Sequence, residues 1–97
     1  LISKDIMVEG LHLDLTGITL FPNPAHHTLN IYVEDEKVNE LFIYDVQGRL
    51  ILAEQINTPT NNIIPIDVSS LANGLYTIKV NTEDKSLLSK FIKSALP

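Results

Sequence analysis

From Ile18 onward, apolar and polar residues alternate in short runs, each broken by proline, glycine or a cluster of acids and amides. Leu29, Ile31 and Val33 alternate with Asn30 and Tyr32, the period-two pattern of a half-buried strand. Ile64, Ile66 and Val68 alternate in the same way with Pro65 and Asp67, and Tyr76, Ile78 and Val80 with Thr77 and Lys79. Leu41-Phe42-Ile43-Tyr44 is apolar on both faces, which predicts a central strand. Ile18 to Phe21, Leu50 to Ile56 and Leu87 to Lys93 complete the set. No stretch sustains a helical period. About seven short strands, roughly 8–12 residues apart, predict an all-β chain folded as an immunoglobulin-like antiparallel β-sandwich.

The breaks between strands are as informative as the strands. Pro22-Asn23-Pro24 stops the first run, because two locked rings also remove two ladder donors. Glu34 to Lys37 reads as a solvated turn. Asp45-Val46-Gln47-Gly48-Arg49 reads as a hairpin turn, with Gly48 at a positive φ that a Cβ would penalise. Residues 57–62 form a loop by composition. Proline cannot donate to a ladder, so Pro65 should lie on an edge strand. Ser69 to Gly74 is a corner, expected to hold one helical turn and a positive φ at Gly74; Tyr76 then anchors a tyrosine corner. Residues 1–17 are irregular except where Leu11, Leu13 and Leu15 alternate with His12 and Asp14. They read as a linker or the end of a preceding segment, with room for one extra strand, and residues 18–97 as the domain. A start at Leu1, with no signal peptide in view, reads as a piece of a longer protein.

Composition narrows the chemistry. Seven basic against twelve acidic residues give a net charge of −5, and no basic patch stands out, which argues against nucleic-acid binding. The absence of cysteine excludes a disulfide, a thiolate metal site and a cysteine nucleophile. No run approaches the ~18 apolar residues of a membrane-spanning helix. His26 and His27 are adjacent, so on a strand they point to opposite faces and cannot chelate one ion; solvent exposure in a loop is the simpler reading. Glu34-Asp35-Glu36 lacks the ordered spacing of a calcium loop. No serine sits in a Gly-x-Ser-x-Gly elbow, and there is no phosphate-binding glycine loop. The chain is therefore read as a non-enzyme without cofactor, metal or small-molecule substrate.

Four short blocks occur in fixed order: Phe21-Pro22-Asn23-Pro24-Ala25, then Tyr44-Asp45 with Gly48-Arg49 closing a turn, then Leu71, Gly74 and Tyr76 in one corner, then Lys90-Phe91-Ile92-Lys93. Singly each is a common structural device. In this order they resemble the type A C-terminal sorting domain of cargo exported by the bacterial type IX secretion system, over Ile18 to Lys93. Phe21 stands where tyrosine is frequent, and Ser94-Ala95-Leu96-Pro97 runs past the usual end. The resemblance implies an exported protein that crosses the periplasm to the cell surface or beyond. It implies outer-membrane translocon and shuttle proteins as partners, and a sortase-like cysteine protease that cuts within or just before residues 1–17. The competing reading is a fibronectin-III-like spacer or adhesin-type binding module of a larger secreted protein.

The last strand carries its own expectation. Leu87 and Phe91 share one face, Leu88 and Ile92 the other, so the second apolar face exceeds what one core needs and is a candidate docking surface. Lys90 and Lys93 fall on opposite faces, which places at least one in solvent, free to meet an acidic partner. Reversing both charges is expected to leave the core intact.

Overall fold

The computed structural model describes residues 17–57 and 63–95. The Leu11–Leu15 alternation, most of the loop from residue 57 to 62 and the last two residues lie outside the described residues. Seven strands are described: β1 (Ile18–Phe21), β2 (Thr28–Val33), β3 (Val38–Tyr44), β4 (Leu50–Gln55), β5 (Ile64–Asp67), β6 (Gly74–Thr82) and β7 (Ser86–Lys93). They form two antiparallel sheets, one in the order β1-β2-β5 and one in the order β4-β3-β6-β7. No helix occurs among the described residues.

The alternation read from the sequence decides which side faces in. Leu29, Ile31 and Val33 of β2 are buried beside Ile64 and Ile66 of β5. Leu41 and Ile43 of β3, Ile78 and Val80 of β6, and Leu87 and Phe91 of β7 line the facing layer. Each fully buried aliphatic or aromatic side chain contributes about 1.5–3 kcal/mol. β3 lies between β4 and β6, as its two apolar faces required. β5 lies at a sheet edge and contains Pro65, opposite Asn30. A register shift between Ile43 and Tyr44 lets Ile51 stand out of the β3–β4 ladder, so Leu50 and Ile51 are both exposed on an apparently continuous apolar run.

One local detail differs from the sequence reading and two were not legible in it. The corner after Val68 contains no helical turn; Leu71 N–H donates to Val68 O at 3.1 Å in a simple turn. Asp35 adopts φ +60°, an uncommon conformation that aspartate tolerates through its short polar side chain. The Phe21–Pro22 and Asn23–Pro24 peptides are both cis.

The registers give the sandwich two poles. Phe21, Tyr44, Leu50, Asp67, Gly74 and Lys93 lie at one, and Ile18, Val33, Val38, Ile64, Thr82 and Ser86 at the other. A parallel bridge between Ala25 and Lys93 locks the sheets together at the first pole.

Candidate functional site

All four sequence blocks meet at that first pole, and the Pro-Asn-Pro block explains how. The outward edge of β7 would otherwise present bare backbone groups. Ala25 N–H donates to Ile92 O at 2.7 Å, and Ser94 N–H to Ala25 O at 2.9 Å. Two residues earlier the flanking prolines have no N–H to offer, and the Asn23 carboxamide takes the place of a peptide. Its Oδ1 accepts from Ile92 N–H at 2.9 Å, while Nδ2 donates to Lys90 O at 3.4 Å. Ala25 is fully buried. His26 is half-buried rather than exposed, with Nδ1 in close contact with Ser94 O; His27 is exposed.

The second block closes the β3–β4 hairpin. Gly48 has φ +82°, as the turn demanded, and its N–H donates to Asp45 O at 3.0 Å. Asp45 Oδ1 accepts from the backbone N–H of Gln47 at 2.9 Å and of Arg49 at 3.0 Å, and Oδ2 accepts from Arg49 Nε at 2.8 Å. The Arg49 amide foremost holds the Asp45 carboxyl below its ordinary range; partial burial opposes this, and the Arg49 side chain and Gln47 amide add to it. Asp67 is likewise held low, by the Ser69 hydroxyl and amide.

The third block is a tyrosine corner. Tyr76 Oη donates to Ala72 O, four residues upstream, at 2.6 Å, and the Tyr76 ring stacks on Phe91 with centroids 5.5 Å apart. Gly74 has φ +154°, in the positive region expected of it, and pairs across the ladder with Lys93.

Lys93 is a correction to the sequence reading. Its side chain points inward and is only 4% exposed, with Nζ donating to Leu71 O at 3.0 Å. The lysine ties the last strand to the corner, so reversing its charge would strike the core. Lys90, by contrast, is exposed. The tail past Lys93 is also engaged: Ala95 N–H donates to Asn73 Oδ1 at 2.9 Å.

On the outer face of the four-stranded sheet, this pole holds a depression of about 390 Å³. The hairpin turn contributes Asp45, Val46 and Gly48, and the sheet contributes Tyr44, Leu75, Thr77 and Lys90. Val46 is 73% exposed, Leu75 43% and the neighbouring Ile92 47%. The excess apolar face expected of the last strand is thus present, through Ile92 and half-buried Leu88. Val46, Leu75 and Thr77 did not figure among the candidate residues; Val46 inside an otherwise polar turn was the available signal.

Charge divides along the same axis. Among the described residues, the far pole carries Glu34, Asp35 and Glu36 in one turn, Glu83 and Asp84 in another, and Glu40 and Glu54 on adjacent strands. Against these seven carboxylates stand Lys37, Lys85 and, one rung from Glu54, Lys79, leaving −4. At the signature pole Arg49, Lys90 and Lys93 stand against Asp45 and Asp67, leaving +1. No group of three His, Cys, Asp or Glu side chains among the described residues is placed to hold a metal ion.

No curated protein matches the chain. A family model described as the secretion system C-terminal sorting domain matches residues 19–94, which takes in all four blocks.

Proposed function

Because the chain belongs to the secretion system C-terminal sorting domain family, whose members are sorting signals for type IX secretion, we propose that it is a type A domain acting as a folded, non-catalytic address on an exported protein. Outer-membrane translocon and shuttle proteins read it after periplasmic transit, and a sortase-like protease then cuts within or just before residues 1–17, leaving the cargo at the cell surface or beyond. One observation carries this reading. Blocks as far apart in sequence as Asn23 and Ile92 are bonded directly to each other at 2.9 Å, and Lys93 is bonded to Leu71, so the signature is one connected cluster, part buried and part exposed, rather than four separate turns.

A transplant tests it. The whole 97-residue chain is fused to the C-terminus of a periplasmic reporter behind a Sec signal, because Ser94 and Ala95 are bonded to Ala25 and Asn73. The reporter is expected at the surface of a host with the secretion system and in the periplasm of the same host lacking its translocon. Equal display in both hosts would defeat the sorting role. A surface product that keeps the domain would defeat the cleavage step.

A further inference from the structure

We infer that the receptor docks on the outer face of the four-stranded sheet at the signature pole, through an apolar surface whose carboxylates meet Lys90. The inference rests on the sorting role and specifies the chemistry of its partner.

Four features of the molecule converge on this face. At this pole the β7 edge, from Lys90 to Ser94, is closed by Asn23 and Ala25, so a partner strand cannot pair there without displacing them. On the sheet face beside that edge, Val46, Leu75 and Ile92 keep large apolar side chains in solvent around a 390 Å³ depression, room for one large side chain of a partner. Lys90 lines this depression, and its ammonium has no hydrogen-bond or ion-pair partner among the described residues. Desolvating it against an apolar surface alone would be unfavourable, so a partner seated here must supply an acceptor, and a carboxylate is the acceptor that also matches its charge.

Long-range charge gives the same orientation. A molecule with −4 at one pole and +1 at the other turns its signature pole toward an acidic surface and its far pole away. Geometry agrees: Gly17, whose carbonyl accepts from Glu34 N–H at 2.8 Å, enters β1 at the acidic pole. The described chain therefore begins at the pole opposite the docking face.

The test uses the full-length cargo protein carrying this domain, in a host with the secretion system, and measures surface export together with the thermal midpoint of each purified variant. Lys90→Glu is expected to cut export about tenfold or more by setting like charges together, with an unchanged midpoint, while Lys90→Arg exports normally. Lys85→Glu, an equal change of net charge at the acidic pole, also exports normally. Wild-type export of Lys90→Glu, or an equal loss in Lys85→Glu, overturns the assignment while leaving the sorting role standing. Failure of the unaltered protein to be exported overturns both. Should Lys90→Glu unfold the domain, Val46→Glu on the exposed turn decides: lost export supports the assignment and normal export overturns it. Concentration-dependent dimerisation that Lys90→Glu abolishes would assign the face to a second copy of the chain and overturn the receptor reading.

Discussion

The outer face of the four-stranded sheet has two halves built on different terms. In the far half one row of side chains crosses all four strands. Gln55 Nε2 donates to Glu40 Oε1 at 3.3 Å, Asn81 Nδ2 donates to Glu40 Oε2 at 2.9 Å, and Ser86 Oγ donates to Asn81 Oδ1 at 2.6 Å. In the near half the corresponding row is Tyr44, Thr77 and Lys90, followed by Leu75 and Ile92. Among the described residues no side-chain hydrogen bond joins them. A polar surface that satisfies itself gains little from a partner, because every contact must first break a bond already made. An apolar surface with an unpaired cation gains from being covered. Both halves rest on equally buried strands, so the contrast is one of surface chemistry on a common scaffold.

The largest expected effect removes the support beneath the near half. Lys93→Glu puts an unpaired carboxylate where the lysine amine meets Leu71 O, at a cost of about 3–5 kcal/mol. Lys93→Met keeps the apolar stem and should cost only about 1 kcal/mol, for one lost hydrogen bond. Urea unfolding of the two variants checks this; a Lys93→Glu variant as stable as the unaltered chain would remove Lys93 from the interior.

A smaller effect sharpens the comparison between the poles. Asn23→Ala frees two edge groups of β7 and should cost about 1–2 kcal/mol, whereas Asn81→Ala opens the solvent-facing ladder for about 0.5 kcal/mol. Amide hydrogen exchange at Ile92 should rise in the first variant and stay unchanged in the second. Unaltered exchange in Asn23→Ala would mean that its carboxamide does not hold the edge.

The smallest effect is a pH dependence. Because Asp45 is held below its ordinary value when folded, its contribution is fully present above roughly pH 4 and is lost as pH falls through the lower folded value. The stability difference between the unaltered chain and Asp45→Asn should therefore shrink in acid. A difference that stayed constant from neutral pH to pH 2 would show that the ionised carboxylate does not support the turn.

Much of this architecture is legible in the chain. The period-two runs placed the strands, the doubly apolar run through Leu41–Tyr44 placed the central one, and Pro65 marked an edge. Gly48, Gly74 and Tyr76 were legible because turns and corners are local: a few consecutive residues settle their φ values and hydrogen bonds. Lys93 was not legible. Strand parity puts it on the face of Leu87 and Phe91, opposite Lys90, but the run is apolar on both faces, and only the stacking of the two sheets makes that side the interior. Asn23 was visible as a turn residue and hidden as an edge cap, because its partners lie in the seventh strand.

The sequence by itself determined which residues form strands, which side of each strand is apolar and where the chain must turn, since these follow from side-chain period and local backbone preference. The tertiary structure alone decided that four separate blocks share one pole, that one terminal lysine is structural while the other is exposed, and that acidic charge gathers at the opposite end. Those facts depend on contacts between residues tens of positions apart. Such contacts are set by how two sheets stack and how their registers align, and no local pattern contains that information.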